Sequence, residues 1–272
     1  MLKPGLLLGL ALALLPGPVL AFTLGVLPIH SPRVLVERYE PLRAHLERSL
    51  KQPVSVESAP DFARFQARTL RGDFDLTVTP AHFARLAQKD QGFQPLAHLL
   101  PDHDALLVYP AERPLSSAAT LKGRQLAVVD RLAVTVMAAL QYLEEQGLES
   151  DRDYAVSPHR THASVAHALT SGLAAAGVTS SQGMQQIDEA VRRKLVVHKH
   201  MADIPAFVFL ARPDLPRPRL EALRTLLLGF ARSPDGAAFL EQTGYSGMRP
   251  AGEAFMKRAD AYLKETRKAL GP

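Results

Sequence analysis

The 272-residue sequence contains no cysteine and no tryptophan. Without cysteine there is no disulfide, no thiolate metal site, no cysteine nucleophile and no acceptor for a lipid anchor. Stability must then come from an apolar core. A composition of 47% hydrophobic and 22% charged residues supplies one, in the ordinary globular balance, and a chain of this size buries most of its surface. Beyond the first 21 residues no apolar run approaches the roughly 20 residues that span a bilayer. Also missing are the G-x-S-x-G elbow, the Walker loop, G-x-G-x-x-G, S-x-x-K and H-E-x-x-H, so neither an enzyme nor a cofactor is expected. The formal charge of +5 is modest and the two signs are interleaved. Nucleic acid is therefore not an expected partner, although a mild positive field favours small anions.

What is present begins with an export signal. Lys3 gives a basic start, Leu6 to Leu15 form an uncharged apolar run, Pro16-Gly17-Pro18 break it, and Val19-Leu20-Ala21 end on a small residue. That order is the n-region, h-region and cleavage site of a secretory leader, so residues 1–21 are expected to be removed and the chain to reside in the periplasm. An uncleaved membrane anchor is the less favoured reading, since the proline break opposes a spanning helix.

Residues 22 onward alternate short apolar runs with segments of helical period. Phe22 to Leu27, Pro53 to Ser58, Phe74 to Thr79, Gln125 to Asp130, Tyr154 to Ser157, Leu173 to Thr179, Lys194 to His198 and Ala206 to Ala211 read as strands. Leu35, Tyr39, Leu42, Leu46 and Leu50 repeat at spacings of four and three and predict one helical face, with Pro41 kinking it or marking its first turns. Asp61 is a candidate N-cap and Gly72 a candidate C′ residue of the next helix. The tail is predicted helical over 219–232, 236–242 and about 252–270. Strands alternating with helices predict α/β architecture with parallel sheets. The simplest arrangement is two lobes, lobe 1 from 22–102 plus 204–272 and lobe 2 from 103–203, each a mainly parallel sheet flanked by helices. Strand ends then converge on one cleft, where open α/β sheets bind ligands, and hinge closure is the natural motion.

Several local patterns, in order, resemble the phosphonate/phosphite-type periplasmic binding proteins of ATP-driven (ABC) importers. They are Leu24-Gly25-Val26-Leu27-Pro28, Tyr39-Glu40-Pro41-Leu42 with Leu46, Asp61-Phe62-Ala63, and Arg71-Gly72-Asp73-Phe74-Asp75-Leu76 followed by Thr79-Pro80. Leu121-Lys122-Gly123-Arg124 with Ala127 and Asp130, His162 followed by Gly172, and Ile204-Pro205 with Arg212-Pro213-Asp214-Leu215-Pro216 continue the series. The resemblance implies the type 2 periplasmic binding fold and a solute-binding protein. It also implies a small ligand and a membrane partner, either an importer permease or, alternatively, a sensor histidine kinase. Departures from the pattern shape the expected ligand. The family's D-x-x-S-T-S-G oxyanion turn is replaced by Asp130-Arg131-Leu132-Ala133-Val134-Thr135, where only Thr135 keeps a hydroxyl. Two ligand-facing tyrosines of the family fall on Phe62 and Phe83, and an acid falls on Ala175. Each lost donor costs roughly 1–3 kcal/mol of affinity, so an oxyanion or related small polar molecule is expected rather than a standard phosphonate.

Histidine is the residue type to follow, with 10 against 6 tyrosines. His30, His82 and His162 follow predicted strands where cleft loops should lie. Three readings of them stay open: surface or capping histidines with no common role, contacts to an anion or polar ligand, and ligands to zinc, copper or nickel. Arg131 offers a bidentate anion contact or is a surface arginine. Ser180, in Thr179-Ser180-Ser181-Gln182, offers a hydroxyl at a strand end or simply caps a turn. The candidate ligand-binding set is thus His30, Phe62, Thr79, His82, Phe83, Arg131, Val134, Thr135, His162 and Ser180, with no catalytic residue. Export in a Gram-negative host should yield a mature chain that starts at Phe22 with 272 − 21 = 251 residues, read by intact mass and N-terminal sequencing. Recovery of the full-length chain in the membrane fraction would refute cleavage.

Overall fold

The computed structural model describes residues 21–271. The expected leader lies outside the described residues, apart from Ala21. The first sheet takes β1 (Phe22–Val26), β2 (Val54–Glu57), β3 (Leu76–Thr79) and β4 (Gln94–Leu100). The helices between them are α1 (Pro32–Leu50), α2 (Phe62–Leu70) and α3 (Ala81–Gln91). The second sheet takes β5 (His103–Pro110), β6 (Gln125–Val128), β7 (Ala155–Pro158), β8 (Ala176–Thr179) and β9 (Leu195–Ile204). Its helices are α4 (Val134–Glu145), α5 (His162–Thr170), α6 (Ser181–Met184) and α7 (Glu189–Arg192). The chain then returns through β10 (Val208–Ala211), α8 (Arg217–Phe230), α9 (Pro234–Thr243) and β11 (Gly247–Pro250). It ends in α10 (Glu253–Lys257), a 3₁₀ turn (Arg258–Tyr262) and α11 (Leu263–Leu270).

The first sheet has the order β11-β4-β10-β3-β1-β2 and the second β7-β6-β8-β5-β9. In each, three neighbouring strands run parallel, β2-β1-β3 and β7-β6-β8. The sheets are therefore mixed rather than mainly parallel as expected, because β10, β4 and β11 in the first and β5 and β9 in the second pair antiparallel. Parallel strands need helical crossovers, and α1, α2, α4 and α5 supply them. The loops leaving β1 and β3 therefore open on one edge of the first sheet, and those leaving β6, β7 and β8 on one edge of the second.

Local sequence explains most boundaries. Asp61 caps α2 by accepting a hydrogen bond from the Arg64 N–H at 2.7 Å, and Gly72 follows that helix at φ +76°, a conformation that favours glycine. Pro41 lies inside α1 without ending it. The buried stripe Leu35, Tyr39, Leu42 and Leu46 runs past it, so tertiary burial outweighs one missing ladder bond. The strand expected over 194–198 extends to Ile204 because β9 pairs along nearly the whole of β5. Its exposed edge and interspersed His198, Lys199 and His200 conceal the alternation that marks a half-buried strand. The helix expected over about 252–270 is interrupted by the 3₁₀ turn. The edge strand β11, with the sequence Gly-Met-Arg-Pro, carries almost no strand signal.

The first core joins β1, β3 and β4 to α1, α2, α8 and α9 through Leu24, Leu42, Phe65, Phe74, Leu227 and Phe239. Phe65 and Phe74 stack at 5.4 Å, and Arg68 lies 4.5 Å over the Phe74 ring. Gly25 makes this approach possible, since a Cβ there would fall 2.6 Å from the Phe74 ring. Gly25→Ala is expected to destabilise the protein by roughly 1–3 kcal/mol through overpacking. At about 2–4 °C per kcal/mol for a chain this size, calorimetry should detect the loss. An unchanged Tm would refute the packing.

Candidate functional site

The loops at the facing strand ends carry the candidate residues. After β1, the half-exposed His30 ring accepts through Nε2 from the Arg38 guanidinium at 2.7 Å. Its pKa is lowered, first by burial and then by Arg38, so the imidazole is neutral. Phe62, the first residue of α2, is half-buried against the first core. Thr79 ends β3, and Pro80 turns the chain into α3, whose first turn holds His82 and Phe83, both fully buried.

On the second sheet, the loop after β6 makes an Asx turn in which Asp130 Oδ1 accepts from the Leu132 N–H at 2.8 Å. Arg131 turns to Asp151, with Nη1–Oδ1 at 3.0 Å and a second, shorter bond, and donates to Ser150 Oγ at 2.9 Å. Its guanidinium is committed to its own lobe. Val134 is buried and Thr135 half-buried at the start of α4. His162, at the start of α5, shares a hydrogen bond between Nδ1 and Thr179 Oγ1 at 2.9 Å, and burial lowers its pKa. The ring lies against Gly183, where a Cβ would come within 2.7 Å of it. Ser180 Oγ accepts from the Gly183 N–H at 2.9 Å and caps α6.

The two sets of loops touch. His82 Nε2 lies 3.0 Å from the backbone oxygen of Leu132, and the Leu132 side chain joins the hydrophobic cluster of the first sheet together with Met137. Gln182 Nε2 donates to the Thr243 carbonyl at 3.5 Å. Asp130 has its pKa raised by burial, with a smaller contribution from the negative charge of Asp61 on the opposite side. Two buried polar atoms at this junction have no hydrogen-bond partner, Thr79 Oγ1 and His82 Nδ1. Leu132, Asp130 and Asp61 are quoted in the sequence motifs but fall outside the candidate ligand-binding set. A leucine in place of a hydroxyl in the turn reads only as a lost donor until its burial against the other lobe is seen.

His30, His82 and His162 each have a separate partner: Arg38, the Leu132 carbonyl and the Thr179 hydroxyl. Among the described residues no group of three or more His, Asp or Glu side chains is gathered to hold a metal ion. Arg160, exposed beside Thr161, forms no ion pair among the described residues.

The profile of a family described as the phosphonate periplasmic substrate-binding protein of ABC transporters matches residues 24–254. The chain belongs to that family. Its fold is shared by XAC2383 from Xanthomonas citri, solved with chloride, at a TM-score of 0.80 and 19% identity over 92% of this chain and 98% of that one. PhnD1 from Prochlorococcus marinus, solved with methylphosphonate, gives a TM-score of 0.76 at 14% identity over 90% and 97% of the two chains. The binding component of an ABC phosphonate transporter from Pseudomonas aeruginosa gives 0.75 at 15% identity over 92% and 89%. At such identities these likenesses establish the fold. Comparison with the curated proteins finds no match. The family is one of solute-binding proteins, and among the described residues no helix is long and apolar enough to cross a membrane.

The buried imidazoles of this family member set its response to acid. Burial lowers the pKa of His82 from 6.5 to about 3 and that of His103, packed against Phe207 and Tyr245, to about 4. Both pKa values are depressed on folding, so unfolding takes up protons. Their stabilisation is complete above about pH 6.5 and is lost as pH falls toward the folded values. Between pH 7 and 5 the loss should be about 2 kcal/mol per histidine. His82→Gln, which keeps a donor for the Leu132 carbonyl, should flatten part of this slope in chemical denaturation. An identical slope in wild type and variant would show that His82 titrates normally.

Proposed function

We propose that this chain is exported to the periplasm, captures a small ligand between two lobes and delivers it to the membrane permease of an ABC importer. In this reading lobe 1 is 22–102 plus 204–272 and lobe 2 is 103–203. The segments joining the sheets act as the hinge, where Arg258 bridges Asp102 at 2.8 Å and the Asp203 carbonyl. The observation that carries the reading is the meeting of the loops after β3 and β6 through His82 and Leu132. It favours one cleft between the facing strand ends of the two α/β sheets, the location at which such sheets take ligands. The protein captures and releases, without turnover.

The ligand is an oxyanion or related small polar molecule rather than a standard phosphonate. Phe62 and Phe83 offer no hydroxyl, and the Arg131 guanidinium is already paired with Asp151. The candidate contacts are Thr79, His82, His162 and Ser180 at the helix starts, with His30 and Thr135 at the margins. Helix N-termini carry partial positive charge and free N–H groups that suit such a ligand.

A thermal-shift screen of residues 22–272 against small oxyanions and polar solutes tests this. A ligand at about 100 times its Kd stabilises by about 2.7 kcal/mol, or roughly 5–10 °C for a chain this size. His162→Ala should remove the shift while leaving the ligand-free Tm within a few degrees. A shift unaltered by that substitution would move the ligand away from α5.

A further inference from the structure

Hydrogen-bond chemistry at the junction of the loops narrows the ligand, on the premise that the cleft proposed above is the binding site. A backbone carbonyl oxygen only accepts. The 3.0 Å contact to Leu132 O therefore requires the proton of the His82 ring to sit on Nε2. The ring is neutral at physiological pH, because burial depresses its pKa to about 3 and no carboxylate is hydrogen-bonded to it. In this tautomer Nδ1 is a bare lone pair. It is buried and has no partner, and so is the neighbouring Thr79 hydroxyl three residues earlier. Thr79 and His82 are both 0% exposed. A buried polar atom without a partner costs roughly 1–3 kcal/mol, and native proteins rarely carry two together.

We infer that Thr79 and His82 form a subsite for an uncharged ligand group that both donates and accepts hydrogen bonds, such as a hydroxyl or a primary amide. Its donor meets His82 Nδ1 and its acceptor takes the Thr79 O–H. A fully ionised oxyanion has no proton to donate, so its lone pairs would face the lone pair of Nδ1. The surrounding charges act in the same direction. Asp61 and Asp130 lie on opposite sides of the cleft and repel one another, and Arg64 and Arg131 are paired with the carboxylates of Asp61 and Asp151, while Arg38 keeps its charge beside the neutral His30. Arg160 is exposed, so its charge is weakened by solvent before it reaches the subsite. An ammonium group would also donate, but it would have to enter a fully buried site where no carboxylate is hydrogen-bonded to either residue.

The test uses acetamide and boric acid as uncharged donor–acceptor probes at pH 7, against methanesulfonate, which is fully ionised there, and methylammonium, with titration calorimetry and thermal shift on residues 22–272. The uncharged probes should bind, and Thr79→Val and His82→Leu should each weaken them about tenfold. Thr79→Val should leave the ligand-free Tm unchanged or raised, because the hydroxyl it removes has no partner. Nitrogen-15 NMR should show His82 as the neutral Nε2–H tautomer, with an Nδ1 resonance that shifts when a probe binds. Methanesulfonate or methylammonium binding that exceeds the uncharged probes and survives His82→Leu overturns this inference and leaves the solute-binding reading standing. A protonated or Nδ1–H ring at pH 7, or a Thr79→Val variant that melts several degrees lower, overturns it as well. Failure of every probe to bind the wild type overturns the subsite inference too, while the solute-binding reading answers to the wider screen described above.

Discussion

The imidazole of His82, bonded to the Leu132 backbone across the junction of two sheets, is the contact on which the rest of the site depends. It is a demanding contact, because the ring is fully buried and must stay neutral to remain there. Burying an ionised imidazole without an acid partner would cost several kcal/mol. The ring instead gives up its charge and uses one nitrogen to satisfy a carbonyl that the turn after β6 would otherwise leave buried and unbonded. The Leu132 side chain then completes the first core rather than its own. Apolar burial and one directional bond thus act at the same place, and the relation between the loops follows from both.

Around that contact the molecule has little mobile positive charge. Arginines on or near the cleft loops are engaged by Glu, Asp or His partners, as with Arg38 and His30, Arg68 and Glu57, and Arg131 and Asp151. An isolated surface ion pair is worth little for stability. Its consequence here concerns function, since a guanidinium held by a carboxylate is not free to bind an anion. The family's fold is retained while Arg131 is paired with Asp151 and the turn after β6 offers few hydroxyls to a dianion. Fold and ligand are specified by different residues.

A second bridge joins helices of the two sheets. α11 ties α3 to α4 through Arg267 and Asp90, Lys264 and Glu144, and the Thr266 hydroxyl near the Met137 sulfur at 3.3 Å. Arg85, 5% exposed, holds Asp260 and Glu253 from the same terminal segment. Because Met137 also belongs to the first core, the start of α4 is packed from two directions. Relative motion of the sheets would have to shear these contacts as well as break the His82 bond.

The α/β class, most element positions, the N-cap at Asp61 and the left-handed glycine after α2 were legible in the sequence, because each rests on contacts within a few residues or on a periodic apolar pattern. The family resemblance was legible for the same reason, as it rides on short motifs that shape loops. β11 and the full length of β9 were not, since edge strands draw their order from a partner far along the chain. The candidate loops could be named, yet what their side chains do could not. Arg131 is neutralised by Asp151 some 20 residues on, and Leu132 looks like a lost hydroxyl until it is found in the opposite core. Sequence alone determined which helices and strands form and in what order, through local propensity and burial pattern. Only the tertiary structure decided which charges are spent, which imidazole nitrogen carries the proton and which polar atoms remain unpaired, because hydrogen bonding and desolvation depend on neighbours that the linear order does not bring together.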